Sequence, residues 1–261
     1  MTKTVFVPGR RSPARAHRPS ACGEYRDETG QRCCRLAMRW TDMCQSRTVT
    51  AELIRWISRA NDAHPWSHND HYHRWLLRQL PRRVSRSIDV GCGTGNLGRA
   101  LASRVDQAMG IDIDPETIAI ARSLSAGNAN VEFRAAALTE VASTGYDVVT
   151  AIAVVHHLDL SVALTAMRRL TKPGGKLLIV GCYRSATVSD YLIDVVAIPA
   201  NLLAGLLKSR HASSARIAMS ARTAPACTTL GQVRKVVADV LPGARVRRRL
   251  FWRYTLSYTA G

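Results

Sequence analysis

The sequence has little lysine, no Cys-x-x-Cys pair and few acidic residues for its length. Seven cysteines occur in 261 residues. An odd count argues against a disulfide framework, and the missing pair argues against a zinc site built from cysteines. The sequence therefore predicts no bound metal and a core that forms without covalent cross-links.

A long uncharged apolar run is also missing. The most apolar stretch extends from Tyr191 to Leu207, and Asp194, Pro199 and Asn201 interrupt it. We therefore expect no membrane-spanning helix. The N-terminus carries arginines without an apolar segment after them, which argues against a secretory signal and favours the cytoplasm.

Positive charge is concentrated at the two ends of the chain. Residues 1–47 hold ten Arg or Lys against four acids, and residues 205–261 hold eleven against one, whereas residues 48–204 hold 16 against 14. Such ends are compatible with attraction to nucleic acid or to an anionic membrane surface. A composition bias explains them as well, because the chain has 32 arginines and only five lysines.

Residues 1–47 show no helical or strand period and are rich in Arg, Pro and Ser, which predicts a disordered basic extension. Residues 48–261 have the composition of one folded domain. Apolar helices are predicted near Leu53–Ile57 and Trp75–Leu80, before the first strand. Between them lies a histidine-rich segment.

Strands and helices alternate regularly from Ser87 onward. The predicted strands are Ser87–Val90, Ala108–Asp112, Val131–Arg134, Tyr146–Ala151 and Lys176–Gly181, and the helices between them are Gly98–Arg104, Pro115–Leu124 and Ser161–Leu170. Repeated units of this kind predict an α/β fold with a parallel sheet between helices. Residues 185–222 interrupt the alternation, and we interpret this apolar segment as a helical lid insertion. A helix at Leu230–Val240 and two strands with a bend near Phe251 complete the prediction.

A glycine-rich turn follows the first strand. Gly91, Gly93 and Gly95 remove side chains where the backbone must pass close to a ligand. Asp89 lies two residues before the turn, and Asp112 ends the second strand. Asp112 alone would suit the ribose of a nicotinamide cofactor equally well. A carboxylate at Asp89 disfavours a pyrophosphate and suits the cationic amino and sulfonium groups of S-adenosylmethionine, so we favour the latter cofactor.

Four segments in order resemble the class I S-adenosylmethionine-dependent methyltransferases, especially their small-molecule branch. These segments are Ile88–Gly95, Gly110–Pro115, Tyr146–Leu158 and Leu170–Leu177. The resemblance covers about residues 48–259. It implies a seven-stranded Rossmann-like sheet of order 3-2-1-4-5-7-6, with strand seven antiparallel and helices on both faces.

The resemblance also implies roles for individual residues. The glycines would line the methionine part of the cofactor, Asp112 would bind the ribose, and Ile113 would pack on the adenine. Where the family often has an acid after strand three, this sequence has alanines, so backbone N–H groups of Ala137 and Leu138 are predicted to meet the adenine edge. The full predicted cofactor site is Asp89, Gly91, Cys92, Gly93, Gly95, Asp112, Ile113, Ala137, Leu138 and Ala153.

Candidate catalytic residues follow strand four. His156 and His157 lie where the methyl group is expected, so either is a candidate base for a hydroxyl acceptor. The alternative is that they only close the turn between strand and helix. His68, His71, Tyr72 and His73 are predicted to shape the pocket from the N-terminal side, and Tyr183 and Arg184 follow strand five at the same edge.

The methyl acceptor is predicted to be a small molecule, and the apolar 191–207 segment favours an apolar one. The sequence lacks the Asn/Asp-Pro-Pro-aromatic tetrad of base amine methylation and the Pro-Cys pair of cytosine C5 methylation. The less favoured alternative is a basic nucleic-acid-binding or RNA-modifying protein on the same scaffold, with phosphate contacts from the arginines of residues 245–253. A third alternative is a nicotinamide-dependent oxidoreductase.

Overall fold

The computed structural model describes residues 66–208 and 225–261, together with Arg59. The predicted disordered extension 1–47, the predicted helix near Leu53–Ile57 and the end of the predicted insertion at 209–222 lie outside the described residues. The predictions for these segments therefore stay predictions.

The described residues form alternating strands and helices, as predicted. The helices are α1 (His68–His71), α2 (His73–Gln79), α3 (Asn96–Ala102), α4 (Pro115–Leu124), α5 (Leu160–Leu170), α6 (Val188–Lys208) and α7 (Leu230–Val240). The strands are β1 (Arg86–Val90), β2 (Gln107–Asp112), β3 (Val131–Ala135), β4 (Tyr146–Ile152), β5 (Thr171–Cys182), β6 (Arg245–Arg249) and β7 (Arg253–Thr259). Short 3₁₀ turns follow β3 at Leu138–Glu140 and β4 at Val155–His157.

All seven strands pair in one sheet of order β3-β2-β1-β4-β5-β7-β6. The strands from β3 to β5 are parallel, and β7 runs antiparallel between β5 and β6. This is the predicted Rossmann-like order. The carboxyl ends of the parallel strands therefore meet at one edge, where such sheets bind their ligands.

Both faces of the sheet are covered by helices. Leu164 and Met167 of α5 and Val233 of α7 pack on one face. Leu76 of α2 and Leu101 of α3 pack on the other. The central strand β4 is buried over nearly its whole length, as a parallel strand covered on both sides should be.

Local signals explain where the helices begin. The Asp114 side chain accepts a hydrogen bond from the first turn of α4, and Pro115 stands at its first position. The Thr229 side chain caps α7 in a reciprocal pair with Gln232. Both helices have the predicted bounds because these caps are encoded by adjacent residues.

The predicted start of β5 at Lys176 is wrong. The strand begins at Thr171, which pairs with Tyr146, and the register then shifts before Val148 pairs with Lys176. The intervening glycines bond to the end of the chain: the Gly174 amide donates to the Ala260 carbonyl over 2.8 Å, and the Ala260 amide donates to the Gly175 carbonyl over 2.9 Å. A Lys-Pro-Gly-Gly sequence is typical of a turn, but here it is an irregular strand start that pairs with distant chain.

Candidate active site

One cavity of about 730 Å³ opens at the carboxyl edge of the sheet. The ends of β1, β2, β4 and β5 form its floor, and the start of β7 with the segment before α2 forms its outer wall. Most of the predicted site residues line it: Asp89, Gly91, Cys92, Gly93, Asp112, Ile113, Ala153, His156 and His157. The structure thus brings together predicted residues from three separate strand ends.

The glycine turn supplies bare backbone to this cavity. Gly91, Gly93 and Gly95 all have positive φ, at 67°, 53° and 80°. A Cβ added at Gly91 would collide with the Val154 side chain, so the turn needs glycine there for space as well as for conformation. Gly95 ends the turn before α3 and is not among the residues that line the cavity.

Asp112 is held in a fixed orientation at the cavity wall. Its two carboxylate oxygens accept hydrogen bonds from the Gly93 amide over 2.9 Å and from the Asp114 amide over 3.1 Å. Each carboxylate oxygen can accept more than one hydrogen bond, so capacity remains for a ligand. The geometry suits a pair of neighbouring hydroxyls, such as those of a ribose.

Asp89 is 2% exposed and lies on the sheet face beside β4. Its Oδ1 accepts a hydrogen bond from the Thr150 hydroxyl over 2.8 Å. Burial raises the pKa of the Asp89 carboxyl to about 7, the nearby charge of Asp112 adds to the rise, and the Thr150 hydrogen bond opposes it. A cation bound in the cavity would relieve this cost, because it would favour the ionised carboxylate.

Ile113 follows Asp112 at the cavity rim, and its apolar side chain is 78% exposed. An exposed isoleucine beside a fixed carboxylate has the arrangement needed to support a flat aromatic base. Ala137 and Leu138 do not line the cavity: the Ala137 amide donates to the Glu140 carboxylate over 2.9 Å, and Leu138 packs against the core. Their contact with an adenine stays a prediction.

The loop after β4 places both candidate bases at the cavity. Ala153 has a φ of 52°, a conformation that non-glycine residues rarely adopt, and strain of this kind is common at functional sites. The rings of His156 and His157 lie 4.0 Å apart between centroids. Burial lowers the pKa of His157, and the charge of Asp112 opposes this only in part. His157 therefore stays neutral near pH 7, as a general base must.

The N-terminal segment forms part of the outer wall, as predicted for His68 and His73. Trp66 and Asp70 line the cavity with them, whereas the predicted His71 and Tyr72 do not. The Ser67 side chain caps α1 by accepting from the Asp70 amide over 3.1 Å. The Asp70 carboxylate lies 3.4 Å from His73 Nε2. Burial lowers the pKa of His73, and the Asp70 charge opposes this.

Sequence reasoning missed the far end of the cavity. Cys182, Trp252 and Arg253 line it with the predicted Tyr183, whereas Arg184 does not. Phe251 and Trp252 both have positive φ, at 59° and 56°, and this tight bend between β6 and β7 turns Trp252 and Arg253 towards the cavity. In the sequence, the adjacent aromatic residues Phe251 and Trp252 at the bend between the two last strands were the only indication that this segment could reach the cavity.

Comparison with known proteins shows that this chain is similar to methyltransferases. A family model described as a methyltransferase domain matches residues 88–179, from β1 to β5. A protein of Mycobacterium tuberculosis named as an uncharacterized methyltransferase is 31% identical over 199 residues, which cover 75% of this chain and 98% of that protein. A ubiquinone biosynthesis O-methyltransferase of Paracidovorax citrulli is 29% identical over 59% of this chain and 65% of that enzyme.

Solved structures share the architecture. A SAM-dependent methyltransferase from Aquifex aeolicus superposes with a TM-score of 0.51 at 14% identity, over 78% of this chain and 98% of that one. A protein from Pyrococcus horikoshii reaches a TM-score of 0.53 at 18% identity, over 74% of this chain and 89% of that one. The chain therefore belongs to the class I S-adenosylmethionine-dependent methyltransferases, and it is a methyltransferase enzyme.

Proposed function

We propose that this enzyme binds S-adenosylmethionine in the cavity of the glycine turn and methylates a small, apolar acceptor bound beside it. The observation that carries the proposal is the pairing of two carboxylates with bare backbone in one cavity. Asp89 is buried with a raised pKa, and Asp112 is fixed by two amide hydrogen bonds. This combination favours a cationic nucleoside over a neutral or anionic one.

The residues present fit this cofactor. Gly91 and Gly93 line the cavity and carry no side chain, so the methionine part would lie against backbone there. Asp112 would accept from the ribose hydroxyls, Ile113 would support the adenine, and Asp89 would attract the cationic amino end. When bound, S-adenosylmethionine supplies a methyl group on a positively charged sulfur, which is a good leaving group.

The same charges argue against a nicotinamide cofactor. A pyrophosphate at the glycine turn would lie near Asp89, and its two negative charges would oppose ionisation of a carboxyl that is already costly to ionise. Asp89 and Asp112 thus favour a positively charged ligand over a negatively charged one. A nicotinamide-dependent oxidoreductase is the disfavoured alternative.

The enzyme's own contribution to methyl transfer is alignment and proton removal. An in-line displacement needs the acceptor atom held behind the methyl group, which the cavity walls provide. His156 and His157 both line the cavity. We assign the general base to His157, with His156 as the alternative, because the lowered pKa of His157 keeps it neutral. A neutral imidazole can take the proton of an acceptor hydroxyl as the new bond forms.

The acceptor we propose is a hydroxyl on a flat, apolar molecule. Trp66 and Trp252 lie in the cavity wall and offer apolar surface, and Arg253 offers a cation beside them. The similar O-methyltransferases of ubiquinone biosynthesis support an oxygen acceptor of this kind. The Arg253 guanidinium is held by the Asn69 side chain over 3.3 Å and the Phe251 carbonyl over 3.3 Å, so it is positioned to meet an acidic hydroxyl.

Transfer of labelled methyl groups tests the proposal. Purified enzyme would be given labelled S-adenosylmethionine with a panel of phenols and catechols that carry apolar substituents. We expect label in at least one acceptor, and loss of labelling in Asp112→Ala. The matched control is Asp106→Ala, an exposed carboxylate just before the same strand β2, which should keep full activity. Labelling that survives in Asp112→Ala would remove this residue from the site.

A further inference from the structure

The apolar face of helix α6 (Val188–Lys208) points away from the folded domain, which is the reverse of the usual arrangement. The residues that face the domain are small or polar: Asp190, Ala197, Asn201 and Gly205 are buried. The opposite face carries nine of the large apolar side chains that the described part of the chain leaves exposed: Val188, Tyr191, Leu192, Val195, Val196, Ile198, Leu203, Leu206 and Leu207. We call these nine residues the outward face of α6.

The outward face is a continuous surface. At 3.6 residues per turn these side chains occupy one side of the helix along its whole length, and Ser189 is the polar residue within it. Contiguous apolar patches of this extent are rare on soluble monomers and mark sites of interaction. The rest of the described residues expose large apolar side chains singly or in small groups, such as Leu124 and Val162.

Two polar contacts fix the rotation of α6. Near its start, Asp190 Oδ1 lies 3.0 Å from Arg248 Nη2 on β6. Farther along, Asn201 Oδ1 accepts from Trp66 Nε1 over 2.9 Å and lies 2.6 Å from His68 Nε2. Turning the apolar face inwards would break both contacts and leave Asp190 without its cation. The helix therefore keeps its apolar face outwards.

By length and composition α6 could also cross a membrane. The two contacts argue against that arrangement, because they tie the helix to the folded domain at points about 16 Å apart along its axis. A spanning helix would have to release them. In the structure α6 lies flat against the folded domain.

The charge of the chain favours a negatively charged surface. Its 261 residues carry 37 Arg or Lys against 19 acids, which gives a net charge of +18. A net charge of this size attracts a protein to anionic surfaces. A second copy of this chain would set equal positive charge against itself, whereas anionic lipid would neutralise it.

We infer that the outward face of α6 docks on an anionic lipid bilayer, with the apolar side chains in the headgroup region and the net positive charge of the chain attracted to the lipid phosphates. Binding of this type combines buried apolar area with electrostatic attraction and does not need a spanning segment. This inference is independent of which acceptor the enzyme methylates.

Vesicle flotation with the full chain tests the inference. The probes are vesicles of phosphatidylcholine alone and of phosphatidylcholine with about 30% phosphatidylglycerol, a content that gives a negative surface potential. We expect the protein to float with the anionic vesicles and to bind the neutral ones at least about tenfold more weakly. Raising the salt concentration should reduce binding to the anionic vesicles towards the neutral level, because salt screens the attraction between the protein and the lipid.

Paired variants separate docking from general surface stickiness. Leu192→Gln with Leu203→Gln should weaken vesicle binding by at least about tenfold, because each change removes apolar surface from the interface. Leu124→Gln with Val162→Gln alters similarly exposed side chains on α4 and α5 and should leave binding unchanged. These positions are exposed, so thermal melting should show that both pairs stay folded.

Three results would overturn the inference. The first is an absence of flotation with anionic vesicles. The second is an equal loss of binding in the Leu124 and Val162 pair. The third is a stable dimer in sedimentation that the Leu192 and Leu203 pair converts to a monomer, because a second copy of the chain would then cover the outward face.

Discussion

Asp89 is the residue at which burial and ligand charge are most closely coupled. Its carboxyl has a pKa of about 7 because burial disfavours the ionised form. A bound cation favours ionisation, so below pH 7 the ligand must displace a proton. We predict that affinity for S-adenosylmethionine rises by up to about tenfold per pH unit below 7 and levels off above it. Calorimetry from pH 5.5 to about 8 measures this.

The control for this prediction is Asp89→Asn, which keeps the shape of the side chain and cannot ionise. Its affinity should be weaker and nearly independent of pH in the same range. Burial lowers the pKa values of the neighbouring His73 and His157, and the comparison with the variant separates the effect of Asp89 from their titration. An unchanged pH profile in the variant would assign the effect to another group.

The unliganded enzyme provides a second measurement of the same carboxyl. An unfolded aspartic acid has a pKa of about 4, so between pH 4 and 7 the folded chain binds more protons at Asp89 than the unfolded chain does. The contribution of Asp89 to the free energy of unfolding therefore falls as pH rises through this window and stays constant above it. Comparing the melting of wild type and Asp89→Asn across the window isolates this contribution.

The two histidines after β4 give a separate prediction. If His157 is the base, His157→Gln should lower kcat by about 10² to 10⁴ and leave the affinity for S-adenosylmethionine unchanged. His156→Gln, at the adjacent ring, is the matched comparison and should lower kcat much less. Equal activity of both variants and wild type would show that the histidines only shape the turn.

At the scale of residues, the sequence predicted the strand-end side of the cavity and part of its outer wall, and it missed Trp66 and Trp252. The glycine turn, Asp89 and Asp112 are local features, because each lies at a strand end that the apolar pattern marks. Trp66 and Trp252 could not be placed, because their position depends on packing between distant segments: the rings of Trp66 and Phe251 meet at 4.9 Å between centroids. No short-range pattern encodes such a contact.

At the scale of elements, β4 begins with a buried charged group that joins three segments. Asp147 accepts hydrogen bonds from the Ser85 amide over 3.0 Å and the Arg86 amide over 2.8 Å, and it pairs with Lys172. Burial acts to raise the pKa of Asp147, but the hydrogen bond from Lys172 and those from the two amides outweigh it and hold the pKa below its usual range.

We predict that Asp147→Asn lowers the free energy of unfolding by about 1–3 kcal/mol, because an amide cannot pair with Lys172 and fits two amide donors poorly. Since the folded pKa is depressed, the stabilisation by Asp147 is present above pH 4 and fades as pH falls. Urea unfolding at pH 7 and at pH 3.5 should thus show a large difference from wild type at the higher pH and a smaller one at the lower. An equal difference at both would contradict the ion pair.

The sequence predicts that α6 is a helix, but it does not predict which face of the helix packs on the domain. Its apolar composition predicted a helix, and the lid role assigned to the insertion stays a prediction. The described residues that line the cavity come from other segments. An apolar pattern usually indicates the face that packs inwards. Here the polar residues face inwards, which only the contacts of Asp190 and Asn201 reveal.

At the scale of the whole molecule, the net charge of +18 raises the alternative of nucleic-acid binding. Arg245 and Arg247 share one side of β6, whereas Arg248 points to the other side and pairs with Asp190. The exposed arginines thus do not form one patch on the strand. We predict a shallow salt dependence for RNA binding, with a slope of log affinity against log salt no steeper than about −2.

A filter-binding series across salt concentrations measures that slope. Bulk attraction to a basic protein should disappear at moderate salt, and a control polyanion such as heparin should compete fully. A slope near −5 or steeper, with methyl label recovered in RNA, would instead support the RNA-modifying alternative.

The central claim is that this cavity is built for a positively charged sulfur nucleoside. Titration calorimetry of the full chain with S-adenosylmethionine, and separately with NAD, tests it most directly. We predict saturable binding of S-adenosylmethionine that Asp112→Ala abolishes and Asp106→Ala retains, with no measurable heat from NAD. Tighter binding of NAD, or no binding of S-adenosylmethionine by the wild type, would contradict the account.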